Sequence, residues 1–160
     1  LDGVYLATDK QDVDNTTFVE HAAPECRSRQ VYKGVLDGQS RGVFQGKVHV
    51  LRDAQKTDGH QMSRALLLSP RAEIDARPEL EIYADDVKCS HGATAGELDE
   101  DLMFYLLSRG IPRQEARRML IEAFLSEAIA EIPLAQVAED FTTHVRQWLA
   151  DNVDVSDGQA

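Results

Sequence analysis

The amino-acid sequence predicts a mainly β protein in two parts: a solenoid of short stacked strands over residues 1–98, then a small α-helical domain over residues 99–149. Three observations predict it. Short β-prone runs recur through the first part, with turn formers between them. Three later runs, beginning at Leu66, Glu81 and Ala93, start 12 to 15 residues apart, a spacing suited to successive faces of a coil. At Asp99 the pattern changes to helical periodicity.

In chain order, the β-prone runs are Val4-Tyr5-Leu6, Thr16–Val19, Gln30-Val31-Tyr32, Val43-Phe44-Gln45, Lys47–Val50, Leu66-Leu67-Leu68, Glu81-Ile82-Tyr83 and Ala93-Thr94-Ala95. The expected turns are Asp37-Gly38, Gln45-Gly46, Asp58-Gly59, Ser69-Pro70 and Arg77-Pro78. Val48 and Val50 alternate with Lys47 and His49, the signature of a strand with one face inward. An antiparallel sandwich also fits many short strands. Aromatic residues make up only 6% of the chain, and small polar residues sit beside aliphatic ones. Both features suit stacked rungs better than a sandwich core.

Asp99-Glu100-Asp101 suits a helix N-terminus, where carboxylates meet the positive end of the dipole. Leu98, Leu102, Tyr105 and Leu106 follow at helical spacing, and Gly110 stands at the expected C′ position. Pro112 is expected to open a second helix, carrying Ala116, Leu120, Ala123, Phe124 and Ala128. Pro133 is expected to open a third, with an apolar stripe through Leu134, Val137, Phe141, Val145 and Trp148. The polar residues 150–160 are expected to be a disordered tail.

The net charge of −11 argues against a nucleic-acid surface, which needs Lys and Arg to displace counterions, and against docking on anionic lipid. No apolar run approaches the roughly 18 residues of a membrane span. No signal peptide is visible, and the chain begins at Leu1, which reads as a piece cut from a longer protein. Cys26 and Cys89 allow one disulfide; with no secretory signal visible, they read rather as free thiols of a reducing, cytoplasmic compartment.

The candidate chemistry centres on Cys89-Ser90-His91. A thiol and an imidazole two apart on a strand share one face, and both suit iron or zinc. The plain alternative is a buried thiol beside a surface histidine. A Cys–His nucleophile, with Asp86 orienting His91, is the enzyme reading; it needs hydrogen-bond geometry that one strand rarely supplies. No phosphate loop, HExxH or GxSxG run is present. His21, His49, His60 and His144 read as structural or solvated.

The run from Leu80 to Gly96, Leu-Glu-Ile-Tyr-Ala-Asp-Asp-Val-Lys-Cys-Ser-His-Gly-Ala-Thr-Ala-Gly, resembles the SufD family of iron–sulfur cluster assembly proteins. So do Arg41–Gly46, Gln55–Gln61, Leu66–Ser69 and Phe104–Ile111, in the same order. The resemblance implies a right-handed parallel β-helix with a C-terminal helical domain. It implies a non-catalytic scaffold subunit that pairs with a SufB-type subunit and a SufC-type ATPase. Its cargo would be a nascent iron–sulfur cluster shared with the partner; no residue pattern speaks for or against a flavin. His91 would be the first candidate ligand and Cys89 the second. The C-terminal helices would dock the ATPase, with Phe104, Tyr105, Arg109 and Gly110 as candidate contacts. A B-type sister would carry a cysteine near Gln61-Met62-Ser63; this chain has none there, which favours the D type. Alone, the chain is expected to form a homodimer through its strand edges. A solenoid enzyme with a Cys–His site and a plain interaction module are the competing readings.

Overall fold

The structure is a computed structural model and describes residues 1–153. Seven strands come first: β1 (Asp2–Ala7), β2 (Asp12–His21), β3 (Arg27–Leu36), β4 (Arg41–Val50), β5 (Asp58–Leu67), β6 (Glu73–Ile82) and β7 (Lys88–Gly96). Three helices follow: α1 (Glu100–Ser108), α2 (Arg113–Ile129) and α3 (Ala135–Asn152). Odd and even strands form two sheets, in the orders β1-β3-β5-β7 and β2-β4-β6, and every pairing is parallel. Each turn of the coil therefore contributes one strand to each sheet. Register partners lie 29 residues apart at Val4 and Lys33, 31 at Arg27 and Asp58, and 32 at Arg41 and Glu73. This is a β-helix, and parallel pairing throughout excludes the antiparallel sandwich.

Three of the five expected turns lie inside strands instead. Val43–Gln45 and Lys47–Val50 join as one strand straight through Gly46. A side chain at Gly46 would sit 2.1 Å from Gln61 Nε2 and 2.9 Å from Phe44 Cζ, so interior crowding requires this glycine, not a bend. Asp58-Gly59 begins β5, with the Cys89 sulfur 3.4 Å from where a Gly59 Cβ would lie. Arg77-Pro78 lies within β6, an edge strand of its sheet, where a residue without an N–H is tolerated. Asp37-Gly38 is a true turn: Gly38 has φ +65°, and its N–H bonds the Asp37 carboxylate at 2.8 Å.

Inside the coil, two apolar clusters fill opposite ends of the cross-section. One joins Tyr5, Ala7, Leu36 and Ala72; the other joins Val48, Val50, Ala54 and Ala84, with Leu80, Val87 and Cys89 against it. Gln30, Gln61 and Ser63 are buried, and Tyr32 packs on Phe44 with ring centroids 5.0 Å apart. The helical domain covers the outer face of the β1-β3-β5-β7 sheet. Ile121, Leu125, Ile129, Val145, Leu149 and Val153 bury against Val35, with Val4, Leu6 and Leu66 around them.

The Asp99 carboxylate caps α1, accepting from the N–H groups of Asp101 and Leu102 at 2.9 and 3.0 Å. Gly110 follows the helix with φ +81°. Pro112 is the N-cap of α2, and Pro133 precedes Leu134, the N-cap of α3. The stripe on α3 divides: Val145 is buried, whereas Leu134, Val137 and Phe141 are exposed. Helix α3 runs to Asn152 and Val153 is buried, so residues 150–153 are ordered, contrary to the expected tail. The rest of that tail, residues 154–160, lies outside the described residues.

Candidate functional site

Strand β7 carries Cys89, Ser90 and His91 as the last rung of its sheet. Strand alternation sends Cys89 and His91 to the inside of the coil and Ser90 and Gly92 to the outside. Two contacts fix the phase. The Cys89 sulfur approaches the inward Cβ position of Gly59, and Met62 covers Gly92 on the outer face, 2.9 Å from where its Cβ would be. Cys89 is half-buried against the Val48 and Val50 cluster, while His91 is exposed on the rim. Desolvation pushes the Cys89 thiol above its ordinary 9.0. That is the reverse of the environment of an activated cysteine, whose thiolate is stabilised. Asp86 makes no hydrogen bond to His91, so the orienting contact of a nucleophile pair is not formed.

The interior behind this strand is polar. His21 is 3% exposed, and its Nε2 lies 2.8 Å from Ser28 Oγ. Burial lowers its pKa from 6.5, which keeps the ring neutral. Ser28, Gly59 and Cys89 are register partners on successive rungs; so are Gln30, Gln61 and His91. Thr17 Oγ1 donates to Gln30 Oε1 across the coil at 2.8 Å. On the outer face, the His60 ring bridges Ser90 Oγ at 2.6 Å and Asp58 Oδ1 at 2.9 Å. The sequence flags Cys89 and His91 through their spacing. It does not flag His21, Gln30 or Gln61; the available signal is the inward phase they share with Ser28 and Gly59.

Among the described residues, no three His, Cys, Asp or Glu side chains converge as a metal-binding group. Cys89 and His91 are one soft and one borderline donor on an open rim. They suit part of a ligand set completed from elsewhere.

The candidate docking residues lie together on α1. Phe104 is 72% exposed and Tyr105 54%. The Arg109 guanidinium stands 5.1 Å from the Tyr105 ring centroid, and Gly110 ends the surface. Met103 is the residue of α1 that buries. No helix among the described residues is long and apolar enough to cross a membrane.

A parallel β-helix with a Cys-Ser-His terminal rung and a docked helical domain defines the class of protein. Residues 1–124 match the family described as SUF system FeS cluster assembly, SufBD core domain, and the chain belongs to that family. Within it, the chain is of the SufD type. It is 48% identical over 126 residues to the iron–sulfur cluster assembly protein SufD of Escherichia coli, covering 77% of this chain and 30% of that protein. It is 43% identical over 139 residues to the chloroplastic protein ABCI7 of Arabidopsis thaliana, covering 86% and 29%. It is 44% identical over 126 residues to a SufBD family protein of Synechocystis, covering 79% and 27%. The chain thus spans less than a third of the length of these curated relatives.

Proposed function

We propose that the protein is a non-catalytic scaffold subunit in iron–sulfur cluster assembly. In this reading it pairs with a SufB-type subunit and a SufC-type ATPase. The observation that carries it is the terminal rung: His91 exposed and the more buried Cys89 two residues before it, at a sheet edge where another chain can add. The nascent cluster is cargo held between subunits, with His91 as a ligand or proton relay from this side. Cys89, a neutral thiol packed on aliphatic side chains, supports the site. The α1 surface around Phe104, Tyr105 and Arg109 is the ATPase contact. Family membership supports the assembly role, and the incomplete donor set supports a site shared between chains.

The test is to co-express the full-length protein with SufB-type and SufC-type partners and to measure subunit stoichiometry, iron and sulfide. A stable complex that gains iron and sulfide supports the reading; a full-length protein that stays apart from both partners overturns it. The 160-residue chain alone should self-associate through the open edges of β6 and β7. Sedimentation showing only monomer at high concentration would count against that.

A further inference from the structure

We infer that Gln61 is a positioning residue for His91, holding its imidazole in one tautomer and one orientation. The inference deepens the proposed role of His91 and rests on it for its biological meaning.

Gln61 is 2% exposed, and neither its Oε1 nor its Nε2 has a hydrogen-bond partner. Buried amides are almost always paired, so an amide unpaired at both atoms marks unused hydrogen-bonding capacity. The register says where that capacity can go. Gln30, Gln61 and His91 stack on the inner face of β3, β5 and β7. Opposite them, Thr17, Gly46 and Pro78 stack on β2, β4 and β6. On the first rung the Thr17 hydroxyl serves Gln30. On the second, Gly46 offers no side chain, and the Gln61 amide occupies the space a Cβ would fill. The cross-coil partner is thus deleted at the rung directly beneath His91.

Gln61 can therefore bond only along the stack. Its neighbours there are His91 and Gln30, whose Oε1 already accepts from Thr17 and whose Nε2 is also unpaired. In the proposed arrangement a Gln61 N–H takes the second lone pair of the Gln30 Oε1, and the Gln61 Oε1 accepts a ring N–H from His91, one strand spacing away. A histidine that binds metal through one nitrogen normally donates its other N–H to such an acceptor, which fixes tautomer and ring orientation. The ring of His91 makes no hydrogen bond among the described residues, so its N–H is free for that acceptor. The Thr17–Gln30–Gln61 column would set the direction of the chain from inside the coil.

The experiment uses full-length protein with 15N-labelled histidine and no added iron. Long-range 1H–15N correlation reads the His91 tautomer ratio, with His91→Ala assigning the signals. Wild type and Gln61→Glu, which keeps an acceptor, should show one dominant tautomer. Gln61→Met, which keeps the volume and removes the amide, should shift the ratio about fivefold, the size of one net hydrogen bond. Melting temperature is measured alongside. If Gln61→Met does not fold, Gly46→Ala, which displaces the amide without altering Gln61, gives the second reading. An unchanged ratio in a folded Gln61→Met or Gly46→Ala variant overturns the inference. The tautomer is read without iron, so normal iron loading of His91→Ala would overturn the ligand role while leaving the Gln61 result to be judged on its own.

Discussion

Lys33 Nζ donates to Glu127 Oε2 at 2.5 Å and to the Phe124 carbonyl at 2.6 Å, and it lies 4.6 Å from the centroid of the Phe124 ring. Lys33 is 2% exposed on the outer face of β3, whereas the Glu127 side chain is 64% exposed. The contact joins coil to helical domain as a buried cation beneath an accessible carboxylate. Removing the carboxylate leaves a buried ammonium with only a carbonyl and a ring and no counter-charge at contact among the described residues; replacing the ammonium by an apolar stem leaves no buried charge. Glu127→Ala should therefore destabilise the protein by about 1–3 kcal/mol. Lys33→Met should cost less than about 1 kcal/mol or stabilise. Urea unfolding of both variants checks the order; Lys33→Met as the more damaging change would refute it.

The same pair carries a pH dependence. The hydrogen bond from Lys33, then its charge, holds the Glu127 carboxyl below its ordinary 4.5. A carboxyl whose folded pKa is depressed stabilises the fold above its unfolded pKa. That contribution is lost as pH falls through the folded value. The stability gap between wild type and Glu127→Gln should be full at pH 6 and close as pH drops below 4.5 toward 3. Thermal melts at pH 6, 5, 4 and 3 check it. A gap that widens in acid would show that the carboxylate is not the stabilising form.

Strand existence was legible in the sequence because inner and outer residues alternate, as at Val48 and Val50 against Lys47 and His49. Glycines were not legible, because a turn and a crowded interior make the same demand. Gly38 has a left-handed φ, whereas Gly46 sits in a strand beneath a neighbouring amide. The shared face of Cys89 and His91 follows from their spacing. The polar column behind His91 does not, since its members lie a full coil apart in sequence. The burial of Lys33 was also invisible: its cover, Glu127, lies 94 residues away, on a helix whose docking face only the fold defines.

The α1 surface gives a separable prediction. Phe104 and Tyr105 are exposed and Arg109 stands over the Tyr105 ring, so their replacement should leave the coil intact. Exposed aromatics with an arginine are the composition of interface anchors. In the full-length protein, Arg109→Glu should weaken binding to the SufC-type ATPase at least tenfold, about 1.4 kcal/mol, with the melting temperature unchanged. Calorimetric titration reads it. Equal affinity would place the ATPase on another surface, and the exposed Leu134, Val137 and Phe141 stripe of α3 would be next to test.

The last prediction separates the two candidate donors on β7. His91 is exposed on the rim, on the edge strand β7 where another chain can approach. Cys89 lies deeper, packed against the Val48 and Val50 cluster, with its thiol held protonated by desolvation. A ligand to cargo shared between subunits must reach the rim; a packing group need not. In the intact complex, His91→Ala should lower iron loading severalfold while leaving stoichiometry and melting temperature at wild-type values. Cys89→Ala should do the opposite. It removes a half-buried sulfur and should cost about 1 kcal/mol of stability, with a smaller effect on iron. If His91 only made a structural hydrogen bond, its alanine variant would lose stability before it lost iron. Iron content, subunit ratio and melting temperature, measured on both variants, distinguish these outcomes. Normal iron in His91→Ala with depleted iron in Cys89→Ala would reverse the assignment and make the thiol the ligand.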